Sequence, residues 1–299
     1  MPTTRSQSVA AVVLNWNNYE DTHECVESLG PHLNEDDQIV VVDNGSVDDS
    51  LTHLQEAFPD VAYVTNDQNR GFAGGMNSGI EWARREDYET VLLLNNDVVV
   101  SEETAIHDLG QKATEPGVGL VTPLIVEHPG DSLWFARGVI DERWVRFAHE
   151  TEVDTNHRYL RNEYVPLCCS MLSLSVLDEV GDLDEEYFLY CEDAELGEQL
   201  RDLGYDLLTD TTARARHKVS GSSESSFSPV PSYYRTRNRH RFYRNQPGGR
   251  NPLAFTIYSI WWVTTRSMWA LATSGIDGAL AVCRGELDGW RGKWGKGPY

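Results

Sequence analysis

Four times between residues 9 and 115, a short apolar run gives way to a stretch with helical spacing. Residues 9–14 (VAAVVL), 38–42 (QIVVV), 61–65 and 90–94 read as strands. Residues 20–29, 48–58, 74–84 and 102–115 read as helices, the last opened by Ser101 as N-cap. Strand then helix, repeated in that order, implies a parallel sheet with helices on both faces. Each strand also ends in polar residues. Asn15, Trp16 and Asn17 follow the first, and Asp43, Asn44, Gly45 and Ser46 the second. Residues 66–77 follow the third, and Asn95, Asn96 and Asp97 the fourth. The carboxyl ends of parallel strands share one edge, where ligands bind. The run VLLLNNDVVV (91–100) makes the point sharply, because an unpaired carboxylate is too costly to bury inside an aliphatic strand. The strand should end at Leu94 and leave Asp97 at the rim of a site.

After Pro123 the rhythm changes. Residues 134–149 alternate aromatic and Arg side chains as in a hairpin, and 164–174 read as an apolar extended segment. Residues 192–203 read as a helix closed by Gly204. Residues 220–232 (SGSSESSFSPVPS) suit a flexible segment able to close over a ligand. A basic helix over 232–245 and an aromatic-rich helix over 252–275, with Arg266 its only charge, complete the chain. This divides it into a catalytic domain, 1–230, and a basic, aromatic, helical region, 231–299. Aromatic bulk beside a basic face suits a membrane interface. The alternative is that this region packs on the catalytic domain, or on the second subunit of a homodimer.

Acidic side chains outnumber basic ones 47 to 25, giving a net charge of -22. Such a chain repels nucleic acid, so no nucleic-acid partner is expected. The only lysines are Lys112, Lys218, Lys293 and Lys296. Excess acid with little Lys suits a halophilic protein, whose self-repulsion is screened by high salt. The five cysteines (25, 168, 169, 191 and 283) include no C-x-x-C pair. Buried free thiols in a reducing compartment are expected rather than a zinc site or disulfide framework. The N-terminus lacks a signal-peptide pattern, and no uncharged run reaches the ~20 residues of a spanning helix.

Five stretches carry chemistry, each with a plainer alternative. Asp97 supplies the single carboxylate that a hard cation bridging phosphates needs, or else Asn95-Asn96-Asp97 is a turn capping the next helix. Asp43 can accept hydrogen bonds from a nucleobase or ribose, or belongs to a turn with Asp48 capping the helix. NRGFAGGMNSG (69–79) lets backbone approach a ligand and offers Arg70 to a phosphate, or is a glycine-rich helix entry. It is not G-x-G-x-x-G, which disfavours a dinucleotide oxidoreductase. In FLYCEDAEL (188–196), Glu192 and Asp193 open a helix beside Phe188, Leu189 and Tyr190. Apolar neighbours make a carboxylate a better base, although first-turn acids also serve the helix dipole. In ARARHKVSGSS (213–223), His217 can ligate a metal while Arg216 and Lys218 neutralise phosphate, or His217 is a surface residue beside a linker.

Taken in order, VVLNWNNYEDTHECVESL, VVVDNGSVDDS, NRGFAGGMNSG, LLLNNDV, GDLDEEYFLYCEDAELGEQLRDLGY and RHKVSGSS closely resemble the family 2 glycosyltransferases, nearest the non-processive, rhamnosyltransferase-like type. The resemblance spans roughly residues 8–245. It implies a GT-A fold, a Rossmann-like, mainly parallel sheet flanked by helices, followed here by C-terminal amphipathic helices. It also implies inverting transfer of one sugar from a nucleotide-diphosphate donor, with Mg²⁺ or Mn²⁺ as cofactor. By position, Asn15, Trp16, Asn17, Asp43, Asn44, Ser46 and Asn96 line the nucleotide pocket, and Arg70, Gly71 and Asn77 flank the nucleotide and its phosphates. Asp97 stands at the last position of the D-x-D motif and binds the metal with His217, beside Arg216 and Lys218 at the diphosphate. Asp193 is implied as the catalytic base, with Glu192 in support. The first D-x-D position is Asn95, and no Q-x-x-R-W follows the Glu-Asp pair, which leaves the processive type unsupported. The resemblance further implies a lipid-linked saccharide acceptor and a peripheral place on the inner, cytoplasmic face of the cell membrane. Two other readings remain. A nucleotidyltransferase would usually carry a Gly-rich basic loop after the first strand, which NWNNYED lacks. An inactive membrane-associated sugar-nucleotide sensor would have no need of the Glu192-Asp193 pair.

Overall fold

A computed structural model describes residues 8–141, 144–153, 156–218, 227–246 and 251–299. The expected order appears as β1 (Val9–Asn15), α1 (Tyr19–Leu29), β2 (Gln38–Asp43), α2 (Ser50–Ala57), β3 (Ala62–Thr65), α3 (Gly71–Arg85) and β4 (Thr90–Asn95). Next come β5 (Val98–Val99), α4 (Ile106–Ala113), β6 (Val118–Glu127), β7 (Leu133–Phe135), β8 (Arg137–Asp141), β9 (Arg146–Glu150) and β10 (Tyr159–Arg161). The remainder is β11 (Cys169–Ser173), α5 (Leu174–Val180), α6 (Glu192–Asp202), β12 (Asp206–His217), α7 (Pro229–Asn245) and α8 (Pro252–Arg291).

The main sheet runs β10-β12-β6-β11-β4-β1-β2-β3. Strands β4, β1, β2 and β3 are parallel, so their carboxyl ends share one edge. β1 lies between β2 and β4, which puts the switch in strand order beside its end. Every residue of β1 except Leu14 is buried, as a strand covered on both faces requires. Side chains alternate between faces along a strand. A Cβ on Gly79 of α3 would lie 2.3 Å from Val12, whereas Gly110 of α4 lies nearest Val9, on the opposite face. The glycines of NRGFAGGMNSG thus include one that brings α3 onto the sheet. The second half of the sheet is mixed, since β11 runs antiparallel to β4 and β6 while β12 runs parallel to β6.

Three local expectations are revised. The helix read over 102–115 is interrupted. Ala105 adopts φ 51°, so a 3₁₀ turn (Glu102–Thr104) precedes α4 and Ser101 caps that turn. Four cysteines are buried, but Cys283 is exposed. The basic stretch of α7 also does not form an outward basic face. Arg237 is 1% exposed and Arg239 is 2% exposed, and both donate to backbone carbonyls. Those carbonyls belong to loops with no strand partner, so a buried guanidinium satisfies them where water cannot reach. Of the Ser-rich segment expected to close over a ligand, residues 219–226 lie outside the described residues.

α8 bends at Gly275, whose φ of 73° breaks helical geometry. Its far half packs closely on α7, where a Cβ on Gly289 would meet the His240 ring at 2.5 Å. The opposite face exposes Leu253, Ile257, Ile260, Trp261, Met268 and Leu271. Their spacing puts them on one side of the helix. Among the described residues, no helix is long and apolar enough to cross a membrane. The boundary expected at residue 230 falls in the first turn of α7.

Candidate active site

The strand ends converge through hydrogen bonds. Asn15 Nδ2 donates to Asp43 Oδ1 at 2.9 Å and reaches Ser46 Oγ at 3.2 Å and Ser50 Oγ at 3.1 Å. Thr22 Oγ1 donates to Asn15 Oδ1 at 2.8 Å and accepts from Asn96 Nδ2 at 2.9 Å. The ends of β1, β2 and β4 are therefore joined through side chains. Thr22 and Ser50 were not singled out from sequence, because they read as ordinary first-turn helix residues. Asn44 extends the network to the third loop, accepting from Asn66 Nδ2 and Arg70 N at 3.1 Å each and donating to Gly71 O at 2.9 Å. Asn17 Oδ1 accepts from Val47 N at 2.8 Å, and Trp16 stands 52% exposed at the rim.

Asp97 and His217 come together. Pairing of β5 with β12 sets Val98 opposite His217, and His217 Nε2 lies 2.9 Å from Asp97 Oδ1. His217 Nδ1 is buried with no partner among the described residues. Trp134 packs edge-on against the His217 ring at 5.4 Å and against His149 at 4.4 Å.

The two cations beside His217 are occupied elsewhere. Arg216 pairs with Asp131 at 3.3 Å and Glu103 at 3.6 Å, its side chain leaving β12 on the face opposite His217. Lys218 pairs with Asp21 at 2.7 Å and Glu24 at 2.6 Å on α1. Arg70 pairs with Glu185 at 2.7 Å. Asn77 donates to Leu183 O at 2.9 Å and to Glu185 Oε1 at 3.2 Å. These last two fasten α3 to the loop preceding the Glu-Asp pair. Gly71 (φ 76°) lies against that loop too, where a Cβ would meet Phe188 O at 2.2 Å.

That loop is strained. Phe188, Tyr190 and Cys191 adopt φ of 64°, 68° and 73°, a region that disfavours residues with a side chain. Asn238 on α7, fully buried, holds it: its Nδ2 donates to Tyr187 O at 2.9 Å and to Leu189 O and Tyr190 O at 2.8 Å. Arg237 Nη2 adds a bond to Tyr187 O at 2.9 Å. The result presents Glu192 and Asp193 at the N-terminus of α6. Burial raises both carboxyl pKa values, and the charge of Asp193 raises Glu192 further. Glu192 Oε2 is buried without a partner among the described residues.

The metal-type pair and the carboxylate pair lie around one residue. The Cys168 thiol is held well above its usual pKa by burial first, then by Cys169, with Asp97 and Asp193 adding to the effect. Both carboxylates thus lie within electrostatic reach of the start of β11. Asp97 and His217 fit a divalent cation: an anionic oxygen and an imidazole nitrogen converge, and a bound diphosphate and water can complete the shell. No cluster of three or more His, Cys, Asp or Glu ligands occurs among the described residues, so the protein offers this pair rather than a closed cage.

Comparison with known proteins agrees with this architecture. Residues 10–181 match the glycosyl transferase family 2 model. The chain is 25% identical over 205 residues to the low-salt glycan biosynthesis hexosyltransferase Agl10 of Haloferax volcanii, covering 64% of this chain and 61% of that relative. It is 22% identical over 250 residues to the N-acetylglucosaminyl-diphospho-decaprenol L-rhamnosyltransferase of Mycobacterium tuberculosis, covering 73% of this chain and 79% of that one. GalNAc-T7, solved with UDP, GalNAc and Mn²⁺, superposes with a TM-score of 0.61 at 13% identity, over 92% of this chain and 57% of that one. The Pyrobaculum calidifontis mannosyltransferase PcManGT, solved with GDP-Man and Mn²⁺, superposes at 0.57 and 17% identity, over 97% and 79%. At these identities the structural likeness shows the fold, which is GT-A. The chain spans about three fifths of the length of the first relative and of the first structural neighbour named here.

Proposed function

The chain belongs to glycosyltransferase family 2, and on that footing we propose that it moves one sugar, with inversion, from a nucleotide-diphosphate donor to a hydroxyl of a lipid-linked glycan. The observation that carries this reading is the gathering of Asp97, His217 and Asp193 around the start of β11, beside the Asn15-Asp43 network.

In this reading the donor nucleotide occupies the edge where β1, β2 and β4 end, with Asn15, Asn17, Asp43, Asn44, Ser46 and Asn96 shaping the pocket and Trp16 at its mouth. A divalent cation, Mg²⁺ or Mn²⁺, held by Asp97 and His217 neutralises the charge of the departing diphosphate. Asp193 takes the proton of the acceptor hydroxyl as that oxygen attacks the anomeric carbon from the face opposite the diphosphate. Its raised pKa strengthens it as a base. Glu192, buried behind it, supports the pair. Arg70 and Asn77 act by fixing the loop that carries the base.

Residues 1–230 supply the donor pocket and the base, while 231–299 brace the base through α7 and meet the membrane through the exposed stripe of α8. Peripheral attachment at the inner membrane face suits a lipid-linked acceptor, and the name of the mycobacterial relative includes one. The net charge of -22 suits work in high salt, with stability rising as KCl is added. A panel of nucleotide-sugars, with and without Mn²⁺, tests the reaction class. Release of a nucleoside diphosphate supports transfer, and release of pyrophosphate indicates nucleotidyl transfer.

A further inference from the structure

Arg235, Arg239 and Arg266 have no part in the mechanism above. In a chain with 47 acidic and 25 basic side chains, carboxylates are abundant. Yet among the described residues no carboxylate forms a salt bridge with any of the three, whereas Arg241, beside them in sequence, pairs with Asp184 at 2.6 Å. Arg239 is 2% exposed. Its Nε donates to Val145 O at 3.1 Å and its Nη2 to Trp144 O at 3.0 Å, which leaves Nη1 buried with no partner among the described residues.

Aromatic rings tie the three together. The guanidinium carbons of Arg239 and Arg266 lie 4.5 Å and 4.6 Å from the centre of the same ring, that of Trp262. Arg266 also lies 4.8 Å from the Phe227 ring, and Arg235 lies 4.4 Å from that of Tyr190. Burial depresses the pKa of Arg266 and Arg239, and the charges of Arg235 on the first and Arg266 on the second add to it. Like charges are therefore confined together and partly dried, an arrangement that an incoming anion stabilises.

The cluster has a direction. Arg235 acts electrostatically on Asp193, so one end reaches the proposed base. At the other end, Trp261 stacks on Tyr258 at 5.1 Å, itself 4.9 Å from Arg239, and Phe227 stacks on Trp269. Trp261, Trp269, Met268 and Leu271 are exposed. Guanidinium forks match phosphate oxygens, and an exposed apolar stripe matches an alkyl chain. The donor's phosphates have their own place beside Asp97 and His217, on the strand-end side of the base.

We propose that Arg235, Arg239 and Arg266, gathered about Trp262, bind the phosphate of a lipid-phosphate acceptor whose chain lies along the exposed face of α8 and whose sugar hydroxyl points to Asp193. This rests on the transfer reading above and names the acceptor's chemical class.

Farnesyl diphosphate, farnesol and inorganic pyrophosphate, titrated into the full chain and into Arg235→Ala and Arg266→Ala, test it. Both substituted residues are partly exposed, so the fold is expected to survive, and circular dichroism checks it. Farnesyl diphosphate should bind more tightly than pyrophosphate, lose at least tenfold in affinity in each variant, and be unaffected by UDP with Mn²⁺. Farnesol should bind wild type and variants alike. Unchanged farnesyl diphosphate affinity in folded variants overturns the proposal. Displacement by UDP does so as well, by assigning the phosphate to the donor pocket. Pyrophosphate binding as tightly as farnesyl diphosphate overturns the lipid part. The transfer reading fails separately, if no nucleotide-sugar yields a nucleoside diphosphate.

Discussion

Asn238 Nδ2 donates to the carbonyl oxygen of Tyr190 at 2.8 Å, linking α7 to the backbone two residues before the Glu-Asp pair. The same amide serves Tyr187 O and Leu189 O. With three backbone carbonyls to satisfy and a left-handed loop to hold, its loss should displace Asp193. Asn238→Ala is expected to cost about 2–3 kcal/mol of stability, since each buried bond is worth about 1 kcal/mol. It should lower kcat at least tenfold while donor KM changes little, because the donor pocket lies on other elements. A parallel rise in donor KM would assign Asn238 to general folding instead. Steady-state kinetics at saturating acceptor separate the two.

Asp97 and His217 should act as one unit toward the metal. Asp97→Ala and His217→Ala are each expected to weaken Mn²⁺ activation and to cut transfer by about a hundredfold or more, as loss of charge stabilisation at a leaving group does. The double variant should be little worse than either single one. Mn²⁺ titration, followed by activity and by binding of the metal alone, checks this. Chelation with EDTA should silence the wild type, and Mn²⁺ should restore it.

The carboxylate pair sets two pH dependences of known sign. Asp193 must be ionised to act as base, and burial raises its pKa. The acid limb of kcat/KM is therefore expected above the range of an ordinary aspartate. Glu192 also holds its proton more tightly in the native state than in the unfolded chain. Its contribution to stability is greatest at low pH and is lost as pH rises from the ordinary carboxylate range toward the raised value. Glu192→Gln should therefore stabilise the protein near neutral pH by about 1 kcal/mol or more, with the gain vanishing near pH 4. Urea denaturation at the two pH values measures the difference.

The exposed stripe of α8 should govern attachment to lipid. Deleting the whole region would strip the cover from α7, where Gly289 of α8 meets His240, so point changes are the cleaner probe. Replacing Trp261, Met268 and Leu271 together by Ser is expected to shift the protein from vesicles to solution while Tm holds or rises. These side chains are already exposed, and their removal deletes no packing. Vesicle flotation with polar archaeal or bacterial lipid extract reports the shift.

Much of this was legible before any coordinates. The β1 to β4 half follows from apolar runs with polar ends, and parallel pairing alone brings Asn15, Asp43 and Asn96 to one edge. The Asp97-His217 contact needed a strand pairing between β5 and β12 that no local pattern discloses. Arg237 and Asn238 were read within a basic, membrane-facing stretch, because composition cannot say whether a guanidinium seeks water or a buried carbonyl. Arg70, Arg216 and Lys218 were read as phosphate ligands. Each instead has a carboxylate partner from a distant segment: Glu185, Glu103 and Asp131, and Asp21 and Glu24, respectively. A sequence shows that a cation is present and leaves open which acid it meets.

The account turns on one proton transfer at α6. The most direct test is a single-turnover assay of Asp193→Asn with Mn²⁺ and the donor that the wild type uses. Donor affinity should match wild type, while transfer falls by about a thousandfold, within the range of a lost general base. Transfer near the wild-type rate, with the donor bound normally, would contradict it.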